Sequence, residues 1–277
     1  MQTGKLAVRV GSFPMRLPQA LQRVAEWGVR SVELDGKLFQ QSEASPGSSN
    51  SDTGLMSETG LRSFRKMLSD LELSVAAIRF HSRRGYATLD RLDARVDATK
   101  RMMHLAGRVG APVVINSIGK IPENEEDSSY QTLVEVVDDL GRYGARVGAF
   151  FAAETGANSG ACLDKLLTTT SDGYVAVALN PGQWVIEGHD VIESTKAIAH
   201  RTRCLLAIDG VTDLSVGRGI AVPLGQGIVD FAMLFGILEE RGFDGSVIAG
   251  RHDSSPNEVA DAIEYLRSLG LFESLAS

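Results

Sequence analysis

Val175-Ala176-Val177-Ala178-Leu179 is an unbroken apolar run, preceded by Tyr174 and closed by Asn180-Pro181-Gly182. No polar residue alternates with the apolar ones. A strand built from this run is therefore buried on both faces, the pattern of a parallel sheet covered by helices. Seven other runs carry the same signal: Leu6 to Val10, Arg30 to Leu34, Leu73 to Phe80, Pro112 to Asn116, Ala149 to Glu154, Cys204 to Asp209 and Ser246 to Ala249. With Tyr174 to Asn180 they make eight, separated by loops and by longer segments with helical periodicity.

Among those segments, Leu17, Leu21, Val24 and Ala25 repeat at helical spacing, with Gly28 as the stop before the second strand. Leu133, Val136, Val137 and Leu140 repeat the pattern. Ser255-Pro256-Asn257-Glu258 reads as an N-cap serine, a proline in the first turn and a glutamate three residues after the cap, with Val259, Ile263 and Leu266 on one face. Right-handed crossovers between parallel strands leave a closed barrel or a doubly wound open sheet. Eight units favour the barrel, and Gly11-Ser12-Phe13-Pro14 after the first strand is a poor phosphate cradle with no G-x-G-x-x-G. The expected fold is α/β, a single (β/α)8 TIM barrel over residues 1–277, a length such barrels reach without splitting.

A hydrophobic fraction of 43% against 23% charged residues is enough for a substantial core and excludes wholesale disorder. The net charge of −7, with no run of Lys or Arg, argues against a nucleic-acid partner. Cys162 and Cys204 each sit beside an apolar stretch and read as buried free thiols, suiting a reducing cytoplasm. Arg9 interrupts the first apolar run and no stretch is long enough for a span, so neither a signal peptide nor a membrane helix is expected. A Ser/Gly-rich stretch at about 40–57 is too polar to bury itself; it reads either as a disordered loop or as a lid over the functional rim.

In such a barrel, polar residues at or just beyond the strand ends face the functional rim. These are Glu33 and Asp35, Arg79 and His81, Asn116 and Ser117, Glu154, Asn180 and Gln183, Asp209, and Arg251-His252-Asp253. Glu154 is either a functional carboxylate or half of a buried salt bridge, since an unpaired buried charge is costly. His81 is either functional or a rim histidine bound to a loop. Asn180 and Gln183 are polar plugs or hydrogen-bonding partners for a ligand. His252 beside Asp253 could be aimed for proton transfer, or Asp253 could simply favour the positive end of the following helix. Gly225 and Gly227 are expected at positive φ, shaping the rim.

The order of these segments resembles the xylose isomerase-like barrels, which include sugar phosphate isomerases and epimerases, ketose 3-epimerases and hydroxypyruvate isomerase-like proteins. Pro223-Leu224-Gly225-Gln226-Gly227-Ile228-Val229-Asp230-Phe231 and Phe243-Asp244-Gly245-Ser246-Val247 look like the family's PLGxGxxDF and GYDG-type segments, and Val177 to Gln183 like its L-D-P-G-H motif. The resemblance implies Mn²⁺ or Mg²⁺ held by a Glu after strand five, an Asp after strand six, a His after strand seven and a Glu after strand eight. Glu154 matches the first; Asn180, Leu206 and Gly250 stand at the others, and Gln183 stands where a substrate-binding His is expected. No metal is therefore expected, or at most a weakly bound one at Glu154, because Leu and Gly offer no ligand and Asn no charge.

The implied function is a divergent sugar isomerase or epimerase acting on, or binding, a small sugar, sugar phosphate or polyol. Glu154, His81 and His252 would serve as catalytic groups, with Arg79, Asn116, Asn180, Gln183, Asp209, Arg218 and Arg251 as substrate contacts. Arg218 is otherwise a surface arginine. The alternative is a sugar-binding or regulatory barrel without turnover. A homo-oligomer is implied by the family alone.

Overall fold

The computed structural model describes residues 5–40, 57–170, 173–213, 217–270 and 272. Eight parallel strands close into a barrel, and each candidate run from the sequence supplies one of them. In chain order the elements are β1 (Lys5–Arg9), α1 (Leu17–Glu26), β2 (Ser31–Asp35), α2 (Lys37–Gln40), α3 (Glu58–Asp70), β3 (Ser74–Arg79), α4 (Leu92–Val109), β4 (Val113–Asn116), α5 (Ser128–Val147) and β5 (Phe150–Glu154). There follow α6 (Gly160–Thr168), β6 (Val175–Leu179), α7 (Pro181–Glu187), α8 (Val191–Ile198), β7 (Thr202–Ala207), β8 (Asp209–Val211), β9 (Ile220–Val222), α9 (Phe231–Glu240), β10 (Ser246–Ala249) and α10 (Pro256–Ser268). The wall runs β1-β10-β7-β6-β5-β4-β3-β2, and β1 closes it on β2 through the pairs Val8↔Val32 and Arg9↔Glu33.

Helix boundaries follow local chemistry. In α1, Ala20, Leu21 and Val24 are buried on one face, each Leu or Val contributing about 1.5–3 kcal/mol. Gly28, at φ +69°, ends it where a β-carbon would strain the backbone. The Ser255 hydroxyl accepts from the Glu258 amide at 3.2 Å, as the cap pattern predicts. The Glu258 carboxylate, however, is taken by Arg251 and Ser254 instead of returning to the cap.

Two apolar layers result. One fills the space between the strands and the surrounding helices. The other lines the lumen with Ala7, Ala77, Ala152, Ala176, Ala178, Cys204 and Leu206 among others. Barrel interiors are commonly filled by bulky branched side chains. Here the alanines leave room at the upper end of the lumen for long charged ones.

Three features depart from the sequence reading. Asp209 does not end the seventh barrel strand but begins β8, which pairs antiparallel with β9 as a separate two-stranded ribbon. Cys162 is exposed in the first turn of α6, whereas Cys204 is buried in the lumen and its thiol pushed up to about 12 by desolvation. Gly225 has φ +83°, but Gly227 does not need a positive φ. What it needs is space, since a β-carbon there would lie 2.0 Å from the Asp209 carboxylate. Of the Ser/Gly-rich stretch, residues 41–56 lie outside the described residues.

Candidate active site

A cavity of about 380 Å³ opens at the carboxyl ends of the strands. Arg9 ends β1, Asp35 ends β2, Arg79 ends β3 and Glu154 ends β5; Asn180 follows β6, Ile208 follows β7, and Arg251 and His252 follow β10. Residues from the ends of different strands thus line one cavity, and of those named only Arg251 and His252 are neighbours in sequence.

At the floor, Arg79 is the hub. Its Nε donates to Glu33 Oε1 at 2.9 Å, Nη2 to Glu33 Oε2 at 3.1 Å, and Nη1 to Glu154 Oε2 at 2.6 Å. Glu33 is 1% exposed and Glu154 11%, so both carboxylates need this guanidinium. Burial alone would weaken the charge on Arg79, but Glu154 and Glu33 hold it more firmly protonated than usual. Burial likewise pushes Glu154 upward, yet Arg79, His81 and the Asn180 amide, which donates at 2.9 Å, bring it below the ordinary carboxylate range.

His81 Nε2 lies 3.4 Å from Glu154 Oε2 and 3.3 Å from Arg79 Nη1, with 48% of the side chain open to solvent. Desolvation lowers its pKa, Glu154 raises it, and Arg79 and Arg9 lower it again; the net direction is down. The imidazole is therefore neutral at pH 7 and able to accept a proton. Gln183 stands on α7, whose N-cap is Asn180 accepting from the Gln183 amide at 3.1 Å. Gly182 allows α7 to approach β7 and β8, since a β-carbon there would lie 2.7 Å from the Ile208 carbonyl oxygen.

The sequence candidates divide. Glu154, His81, His252, Arg79, Asn180, Gln183 and Arg251 line one cavity. Arg251 is held there by a bidentate pair with Glu258, and His252 Nδ1 meets Asp253 Oδ1 at 2.6 Å on the open rim. Asn116, Asp209 and Arg218 are not part of its lining. Asn116 is fully buried, accepting from the Ser82 and Ser117 amides and donating to the Tyr86 hydroxyl. Asp209, also buried, accepts from the amides of Gly210, Gly225, Gly227 and Val229. Both carry the mark of a substrate contact in sequence, a polar group at a strand end, but their polar atoms are spent on loop backbone. Arg218 is exposed.

Arg9, Lys37 and Ile208 are lining residues that the sequence reading did not select. The rule that found Glu154, a charge at the end of an apolar strand, applies equally to Arg9.

A divalent ion does not fit this donor set. Glu154 Oε2 already accepts from Arg79 and Oε1 from Asn180, and the strand-seven contribution to the cavity is the apolar Ile208. Among the described residues no three His, Cys, Asp or Glu side chains converge as ligands.

A family model described as xylose isomerase-like TIM barrel matches residues 21–269. Among solved structures, a xylose isomerase domain protein from Planctomyces limnophilus superposes with a TM-score of 0.81 at 21% identity, covering 96% of each chain. A xylose isomerase-like TIM barrel protein from Mycobacterium smegmatis in complex with magnesium gives 0.72 at 13% identity, covering 97% of each chain. A sugar phosphate isomerase/epimerase from Parabacteroides distasonis gives 0.69 at 16% identity over 99% of this chain and 96% of that one. No curated protein matches the sequence.

Proposed function

The chain belongs to the xylose isomerase-like TIM barrel family, and from that premise we propose that it is a metal-independent sugar isomerase or epimerase acting on a small sugar derivative at the mouth of the barrel. One observation carries this reading: Arg79 presents a fixed cation to Glu154, beside a neutral His81, at the floor of a cavity of small-molecule size. Interconversion of sugars at a carbon next to a carbonyl needs a base to remove the proton there. It also needs a positive group to hold the oxygen that becomes negative. His81 takes the proton from that carbon, leaving an enediolate whose oxygen faces a guanidinium. The imidazolium, stabilised by Glu154, then returns the proton to the neighbouring carbon while the enediolate's hydroxyl proton passes to the adjacent oxygen, giving the isomer; delivery of a proton to the opposite face of the original carbon by a second acid such as solvent gives the epimer. Asn180 and Gln183 orient hydroxyls. A cytoplasmic location and self-association belong to the same reading, the first supported by the free thiols and the second by the family alone.

Binding without turnover is the second reading, and a specific feature favours it: both oxygens of Glu154 are already engaged, which makes that carboxylate a weak base. Proton NMR of a ketose and aldose panel in D₂O separates the two, because deuterium enters at the carbon next to the carbonyl whenever a proton is abstracted. Exchange that disappears in His81→Gln with the fold intact supports the enzyme. Absence of exchange with every sugar, in protein that binds some of them, establishes the non-catalytic reading.

Among the described residues no helix is long and apolar enough to cross a membrane.

A further inference from the structure

The four buried charges at the floor balance in number: Arg9 and Arg79 against Glu33 and Glu154. They do not balance in hydrogen bonds. Arg79 takes three donor contacts with the two carboxylates. Arg9 is left with one ion pair to Glu33 Oε1 at 3.6 Å, an oxygen already accepting from Arg79, and makes no hydrogen bond among the described residues. A guanidinium carries five N–H donors in a planar fork, and buried donors are ordinarily partnered. Arg9 is 7% exposed and lines the cavity. Its donors are therefore directed at the space a ligand fills. Lys37, just past β2, also lines the cavity with no carboxylate within ion-pair distance among the described residues.

The other charges of the mouth are already accounted for. Arg251 is satisfied by Glu258, and His252 by Asp253. Asp35 lines the cavity and accepts from the Lys37 amide at 2.9 Å, forming no ion pair with Arg9. The neutral amides lie across the mouth, after β6, while Arg9 and Lys37 follow the adjacent strands β1 and β2. The β1–β2 side thus offers the unmatched donors of two cations beside one carboxylate, Asp35, and the amides of Asn180 and Gln183 lie opposite.

We propose that the ligand of this barrel carries an anionic group, a carboxylate or a phosphate, that docks on Arg9 and Lys37 while its hydroxyls face Asn180 and Gln183. Guanidinium forks match both anions bidentately. Desolvation, and after it Arg79, disfavours the charge on Arg9, and Glu33, Glu154 and Asp35 offset this only in part, so an incoming anion adds to a balance the fold leaves incomplete.

The inference rests on the mouth being the sugar site, and the test keeps the two apart. Isothermal titration of the full-length protein uses ribose, arabinose and xylose, each as the neutral sugar, the aldonate and the 5-phosphate. Expected is tighter binding of one anionic form, by about tenfold or more, the scale of a charge-assisted hydrogen-bond pair. The ratio of anionic to neutral affinity falls to about one in Arg9→Gln, is partly kept in Arg9→Lys and is reduced in Lys37→Gln. Aldonate against 5-phosphate preference tells which anion it is. If neutral sugars bind as tightly as both anionic forms, the anion proposal fails and the sugar site stands; if none of the nine probes binds, both fail. Should Arg9→Gln not fold, the exposed Lys37→Gln decides: an anionic preference untouched by that change and by added NaCl overturns the proposal.

Discussion

Arg79 Nη1 and Glu154 Oε2 meet at 2.6 Å although their strands, β3 and β5, are separated in the wall by β4. The contact reaches past β4, and Glu33 on the neighbouring strand β2 meets the same guanidinium. A guanidinium with carboxylates on two sides is a strongly coupled unit, and removing one member leaves another charge buried and alone.

Replacing Arg79 by Met should therefore cost about 3–5 kcal/mol of unfolding free energy, measured by guanidinium denaturation. In a double-mutant cycle with Arg79→Gln and Glu154→Gln, a coupling energy of about 1–3 kcal/mol is expected. Additive losses would show that the pair is not a unit.

The pH response of His81 has a definite sign. Its folded pKa lies below the unfolded value of about 6.5, so the unfolded chain binds the extra proton more readily. Its contribution to stability is complete above pH ~6.5 and is lost as pH falls through that value toward the folded pKa. The imidazole resonance followed by NMR should titrate below 6.5. Glu154→Gln should move the midpoint further down, because Glu154 is the neighbour that favours the proton. An upward move in that variant would contradict the assigned electrostatics.

Asp209 holds the loop from Gly225 to Val229 through backbone amides, so Asp209→Ala should lower stability by about 2–4 kcal/mol and expose that loop to proteolysis. Gly227→Ala puts a methyl on the same carboxylate and should cost about 1–3 kcal/mol. Urea unfolding and limited trypsin digestion read both; a loop that stays protected in Asp209→Ala would show that other contacts hold it.

Divalent ions should leave thermal stability unchanged. A site with Kd near 10 µM would add about 2.7 kcal/mol at 1 mM Mn²⁺, a shift easily seen in a melting curve. The expected result is coincident curves for protein dialysed against EDTA and protein supplied with Mn²⁺. A clear upward shift would mean that the Arg79–Glu154 pair opens to admit an ion.

The barrel was readable in the sequence because burial on both faces removes the polar alternation from its strands, and Val175–Leu179 shows that in undiluted form. The β8–β9 ribbon escaped because three-residue strands carry too little pattern, and Asp209 sits directly against the apolar run that precedes it. Residue type and strand-end position pointed to Glu154, Arg79 and His81, which the structure places in the lining of the cavity. The same two criteria also selected Asn116 and Asp209, because sequence spacing does not reveal whether a side chain's partner is a ligand or a loop amide. Arg9 was read only as an interruption of an apolar segment. Its lack of a hydrogen-bond partner among the described residues is a property of three dimensions, set by how completely Arg79 occupies Glu33.

The span from Glu33 through Arg79 to Glu154 also makes the barrel's upper end a braced frame. Neighbouring strands are joined edge to edge by backbone, but this linkage ties β2, β3 and β5 through side chains, so one arc of the rim is held by a single arginine. Below it the buried alanines form a separate apolar layer, so the charged side chains mark the boundary between the cavity and the packed interior of the barrel.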